Sequence, residues 1–191
     1  MGEWNKDWGW RYRMCGLRRL RPTCLLVLPN GIYAISCECV GGEYLVVNIP
    51  QSNIKPGEPV RLGPLTLPVR MSTHIRVENV DGDRYRLTPA EMAHIPGGLG
   101  IAARNDAMPH TVMLLPTEAG EDDITEWVIE QSGSGTYFIS PPPEAGCDHL
   151  RWTATGEDKP VSSKFYPSTS DFIVYPSYNM FRSNYKYFGT T

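Results

Sequence analysis

The chain has no run of eighteen apolar residues, so it holds no segment long enough to cross a bilayer as a helix. Its most apolar early stretch, CLLVL at 24–28, is shorter than the roughly seven apolar residues a secretion signal needs. The expectation is therefore a soluble cytoplasmic protein with neither export signal nor membrane contact. Cysteine is scarce and badly spaced for staples: Cys15, Cys24, Cys37, Cys39 and Cys147 are odd in number and include no Cys-x-x-Cys. Free thiols in a reducing compartment follow. The four histidines, His74, His94, His110 and His149, are scattered singly, so no metal site is expected.

Catalytic signatures are missing too. There is no G-x-S-x-G, no H-E-x-x-H and no Cys–His neighbourhood whose geometry a sequence could suggest. Gly98-x-Gly100-x-x-Ala103 matches a dinucleotide fingerprint in spacing, but that motif needs a helix opening behind it to receive the pyrophosphate. Pro96 precedes the stretch and Pro109 stops any helix after it, so it reads as a turn entering a strand, and no cofactor is expected. The acidic cluster EAGEDD at 118–123 reads as a solvated turn rather than a catalytic carboxylate pair. No enzyme is expected.

A charge excess of one sign is likewise absent, with 18 basic against 21 acidic residues and a net charge of -3. That argues against a general nucleic-acid binder. The distribution is uneven: residues 1–29 carry six Lys/Arg against Glu3 and Asp7, with Trp4, Trp8 and Trp10 among them. This basic, Trp-rich head is expected to be a disordered extension.

What is present is a repeat. GIYAIS at 31–36, DRYRLT at 83–88 and GTYFIS at 135–140 share one frame, and Tyr33, Tyr85 and Tyr137 stand 52 residues apart. Setting 31–80 against 83–132 without a gap gives identities that include Tyr33/Tyr85, Ile49/Ile101, Val60/Val112 and Leu62/Leu114. Between them Ile75 faces Trp127 and Val77 faces Ile129, at alternate positions. Period-two apolar spacing means strands with one buried face.

The third copy is shorter: Tyr137 to Phe172 spans 35 residues, where Tyr33 to Ile75 and Tyr85 to Trp127 span 42. Each copy reads as four short strands, punctuated by 17 prolines and 18 glycines, and no segment shows a helical apolar stripe. The fold class expected is all-β, a pseudo-threefold β-trefoil of three four-stranded lobes and twelve strands. The repeated aromatic of each first strand should face a shared core. One domain is expected over 30–177, with a tail at 178–191.

A rigid barrel presents its loops as anchored surface arches, the usual address of binding. The longest lie between the second and third strands, NIPQSNIKPGEP at 48–59 and ARNDAMPH at 103–110, and proline stiffens both. A stiff extended loop suits a protease inhibitor, because little entropy is lost when it enters the cleft.

GIYAIS, the segment VMLLPTEAGEDDITEWVIEQSGSGTYFIS at 112–140 and the closing FIVYPS together resemble the mycospin family, small fungal β-trefoil inhibitors of serine proteases. The resemblance covers roughly 29–177, and its most distinctive phrase is the LLP, TEWVIE and G-x-Y run at 114–137. It implies a fungal origin, a serine endopeptidase as partner, a monomer, and one reactive loop whose specificity residue varies among members. A trypsin-like target requires Lys or Arg for its acidic pocket, which points to Lys55 beside Ile54, or to Arg104 beside Asn105. Asn53 is the third candidate. Pro56 follows Lys55, a poor context for a scissile bond; Arg104 has no such neighbour.

Two alternatives stand beside this. Clitocypin- and macrocypin-type trefoils inhibit papain-like and asparaginyl proteases through other loops. By position these are CECVGGE at 37–43, with Gly41 and Gly42, and PLTLPVRMST at 64–73, with Leu67 and Pro68. A carbohydrate-binding trefoil is the other. Ricin-type lectins carry Gln-x-Trp, which neither Gln51 nor Gln131 begins, and Trp152 is the possible sugar platform.

Overall fold

The computed structural model describes residues 27–38, 44–49, 54–65, 73–92, 98–105, 110–118, 120, 122–132, 135–146, 149–165 and 172–176. The tail at 178–191 lies outside them, as does the head except for residues 27–29.

Period-two spacing is realised as strands throughout. They are β1 Gly31–Glu38, β2 Tyr44–Asn48, β3 Glu58–Pro59, β4 Arg61–Pro64, β5 Ile75–Asp81, β6 Arg84–Pro89 and β7 Leu99–Arg104. There follow β8 His110–Pro116, β9 Asp123–Ile124, β10 Glu126–Gln131, β11 Thr136–Ser140, β12 Leu150–Thr153, β13 Ser162–Phe165 and β14 Phe172–Pro176. Among the described residues the helical elements are short 3-10 turns such as Ala90–Met92 and Pro143–Ala145. Among the described residues there are fourteen strands where twelve were expected, and two local features account for the difference. Val60 interrupts the third strand of the first copy, making β3 and β4, and the short β9 pairs with the end of β7.

Six strands close on themselves. β1 pairs with β5, β5 with β6, β6 with β10, β10 with β11, β11 with β14, and β14 returns to β1. Every pairing is antiparallel. Closure leaves no edge strand in this ring. The side chains of alternate residues turn inward: Tyr33, Tyr85 and Tyr137 are buried, as are Ile35, Leu87 and Ile139 two residues further on. The fourth-strand residues Ile75, Trp127 and Phe172 are fully buried among them.

Three hairpin arms cap the ring: β2 with β4, β7 with β8, and β12 with β13. They meet in a cycle of backbone hydrogen bonds. Val60 N–H donates to the Val112 carbonyl, Val112 N–H to Val161, and Val161 N–H back to Val60, each at 2.9 Å. All three valines are fully buried. The three distances are equal, so the cycle is regular, and the identity Val60/Val112 marks two of its three members in the sequence.

Cross-strand register corrects one detail of the ungapped alignment. The arms pair Val47 with Leu62, Ile101 with Leu114, and Trp152 with Ser163. Ile101 is thus the counterpart of Val47, not of Ile49. The paired residues lie 15, 13 and 11 positions apart, so the arms shorten from first to third. Compensating changes between β1 and β2, and between β6 and β7, keep the overall 52-residue frame and hide the slip.

The aromatics interlock at the centre. Trp152 meets Trp127 edge-on at 5.0 Å between centroids and Phe172 at 5.8 Å. Such pairs add about 0.5–1.5 kcal/mol each beyond the area they bury. At the other end of the barrel the chain's lead-in is latched. Leu28 N–H donates to the Tyr85 hydroxyl at 2.7 Å, the Tyr33 hydroxyl donates to the Pro29 carbonyl at 2.7 Å, and Asn79 N–H donates to Asn30 Oδ1 at 2.6 Å. The Leu28 side chain belongs to the main core, two residues before the expected domain start.

Candidate functional site

Of the two proline-stiffened loops, the first is described from Ile54 onward. Ile54 packs partly buried against the main core, which roots the arm. Lys55 is exposed at the next position. Its carbonyl accepts from Glu58 N–H at 3.1 Å, closing a four-residue turn with Pro56 and Gly57 at its centre. Gly57 has φ 87°, the value the third residue of a type II turn requires, and Pro56 supplies the preset φ of the second. Beyond the turn, Gly57 N–H donates to the Leu114 carbonyl at 2.7 Å, and β3 pairs with β8. Lys55 is therefore a cation on a short arch fixed at both feet. Its own carbonyl is engaged in the turn and proline follows, so it is not presented as a scissile bond.

The second loop leaves β7 at Arg104, which is exposed and lies opposite Asp123 of β9. Asn105 follows and lines a surface cleft of about 370 Å³. The other wall comes from β9, β10 and the turn at Pro143–Ala145, and brings in Asp122, Asp123, Glu126 and Glu144. Two of these carboxylates are answered by β6 arginines: Glu144 pairs with Arg84, and Glu126 with Arg86 at 3.5 Å. Asp123 turns back to accept from Gly120 N–H at 3.1 Å. Hydrogen bonds from its own backbone and from Arg84 hold the Glu144 carboxyl below the usual range. The cleft is thus acidic, with two of its four carboxylates paired to arginines.

Lys55 and Arg104 stand on different arms and are not brought into one site. Asn53 lies outside the described residues, as do Gly41, Gly42, Leu67 and Pro68. Trp152, the possible sugar platform, is completely buried in the core and offers no face to solvent, so it cannot serve as a surface platform for a sugar. Gly98, with φ 55°, turns the chain into β7, and a strand follows rather than a helix. The cleft was not legible in the sequence: EAGEDD announced half of its carboxylates, but Glu144 in PPPEAG carried no mark, and only barrel closure sets it beside β9.

No protein-family profile matches the chain, and no curated protein matches it. Solved structures do. A mosquitocidal holotoxin aligns with a TM-score of 0.61 at 13% identity, over 78% of this chain and 18% of the toxin. The designed threefold-symmetric protein ThreeFoil aligns at 0.54 and 11% identity, over 76% of this chain and 98% of its own. The GlcNAcα1-4Gal-releasing endo-β-galactosidase of Clostridium perfringens aligns at 0.54 and 15%, over 77% of this chain and 32% of the enzyme. At these identities the likeness defines the fold alone. The class is all-β, related in architecture to a threefold-symmetric protein, and this chain spans less than a fifth of the toxin and about a third of the galactosidase.

Proposed function

We propose that the chain is a β-trefoil of the mycospin type, a binding module that inhibits serine proteases through the loop carrying Asn53, Ile54 and Lys55. The six-stranded ring, the three capping arms and the valine cycle support the trefoil reading. The observation that carries the inhibitory reading is the arch at 54–58: Ile54 rooted in the core and Gly57 held to Leu114 leave Lys55 exposed on a rigid support. A loop already ordered loses little entropy on binding, so its contacts convert more fully into affinity.

Trypsin-like enzymes receive a cation in an acidic specificity pocket. Lys55 offers that cation, while its engaged carbonyl and the following proline keep the bond after it from being cut. Arg104 is the second cation, on the neighbouring arm. The partner is a serine endopeptidase bound by a monomer, with no cofactor.

The test is a residual-activity titration of full-length protein against trypsin, chymotrypsin, papain and legumain in parallel. Stoichiometric loss of trypsin activity is expected, relieved at least tenfold by Lys55→Ala, about 1.4 kcal/mol of lost binding, and little changed by Arg104→Ala. Relief by Arg104→Ala or Asn53→Ala instead moves the reactive site. Inhibition confined to papain or legumain transfers it to the loops around Gly41 and Leu67. Four untouched enzymes refute the inhibitory reading and leave the fold standing.

A further inference from the structure

On the inward face of the third arm, Trp152 of β12 stands directly across from Ser163 of β13, and Ser163 directly across from His110 of β8. All three are buried, Trp152 and Ser163 completely. The Trp152 indole Nε1–H and the Ser163 hydroxyl have no hydrogen-bond partner among the described residues. Directly opposed residues hold their Cβ atoms about 4.5–5.5 Å apart, so the two side chains border the same part of the core. Native proteins seldom leave such atoms unpaired, and ordered water is the usual partner when protein atoms do not serve.

The other two arms show that the fold itself does not demand polarity here. Leu62 and Leu114 occupy the positions equivalent to Ser163, paired with Val47 and Ile101, and all four are buried and apolar. The neighbouring indole gives a second comparison: Trp127 Nε1–H is satisfied directly by the Ile101 carbonyl at 2.6 Å. The third arm alone combines an indole donor with a hydroxyl that can both donate and accept. The location also matters, because β13 and β8 share only two residue pairs, so this seam between arms is held by few backbone bonds.

We propose that the protein holds one ordered water between Trp152 Nε1 and Ser163 Oγ, a structural ligand at the seam where the third arm meets the second. The water accepts from the indole and exchanges a hydrogen bond with the hydroxyl, which gives it the two or more polar partners a buried water requires. The competing account is that Ser163 is simply small, making room for Trp152 where the other arms pair leucine with valine or isoleucine.

Nuclear magnetic resonance separates the two. Rotating-frame cross-peaks from bulk-exchanging water to indole N–H protons are measured on full-length protein, with Trp127 as the internal control. A water cross-peak at the Trp152 indole, absent at Trp127 and lost in Ser163→Ala, is the expected result. The Ser163→Ala variant should also melt about 2–12 °C lower, the shift that follows from stranding one buried donor in a chain of this size. No cross-peak at Trp152 in the unaltered protein overturns the proposal, whatever the variant does. So does a cross-peak that survives Ser163→Ala, or a variant as stable as the parent, since the hydroxyl is then idle.

Discussion

At the scale of single residues, the repeated tyrosine does unequal work in its three copies. Tyr33, Tyr85 and Tyr137 share burial, but the lead-in at Leu28 reaches the barrel beside Tyr85, and its amide donates to that hydroxyl. Burial pushes the Tyr85 hydroxyl above its ordinary value of 10.0, and hydrogen bonds from Leu28 and Asn79 draw it partly back. The folded state therefore favours the neutral phenol. The resulting stability is complete below pH about 10, and is lost as pH rises through the raised folded value, because the unfolded chain releases its proton first. Tyr85→Phe should show less of this alkaline loss. At neutral pH it should cost about 1–3 kcal/mol, since the buried Leu28 amide then has no acceptor. Urea titrations of both proteins at pH 7 and pH 10.5 measure the two effects; equal alkaline slopes would sink the account. The motif at 31–36, 83–88 and 135–140 announced the burial of all three rings, but the latch depends on residues 57 apart and had no local trace.

At the scale of elements, turn chemistry was readable wherever one residue type satisfies one backbone requirement. Pro56-Gly57 is such a case. A Cβ at Gly57 meets nothing within 4 Å, so the whole penalty of replacing it is conformational. Gly57→Ala should destabilise by about 1–2 kcal/mol, the cost of placing an ordinary residue in the left-handed region. Gly57→Asn should cost visibly less, because asparagine tolerates that conformation. Equal losses in chemical denaturation would show that the turn, rather than the residue, has adapted. The split of β3 from β4 at Val60 was not readable. Val60 leaves its own arm's ladder to join the axial cycle, a choice made by two other arms, and nothing in PVRLG encodes it.

For the molecule as a whole, the valine cycle and barrel closure make the three hairpin arms interdependent. Val161→Pro deletes the N–H that donates to Val60 and leaves a buried carbonyl without its partner. Because that bond joins the third arm to the first, the loss should not stay in the third lobe. Thermal unfolding should remain a single transition shifted down, by about 3 kcal/mol or more of stability at 25 °C. Two separated transitions would mean that the lobes are stable apart.

The amino-acid sequence by itself determined where the main strands lie and the inward face of each, because period-two alternation and the turn residues that bound it are local properties. It also carried a repeated frame, through tyrosines 52 residues apart in three stretches and the Val60/Val112 identity between the first two. Only the tertiary structure decided that β14 returns to β1 and that Ile101 answers Val47 rather than Ile49. It alone decided that Trp152 faces the core instead of solvent, and that Glu144 joins Asp122 and Asp123 at one cleft. The return of β14 to β1 depends on which distant strands pair once the ring closes, whereas the match of Ile101 to Val47 depends on hairpin register. Pairing across 50 to 140 residues is set by the fit of whole faces, which no window of sequence contains.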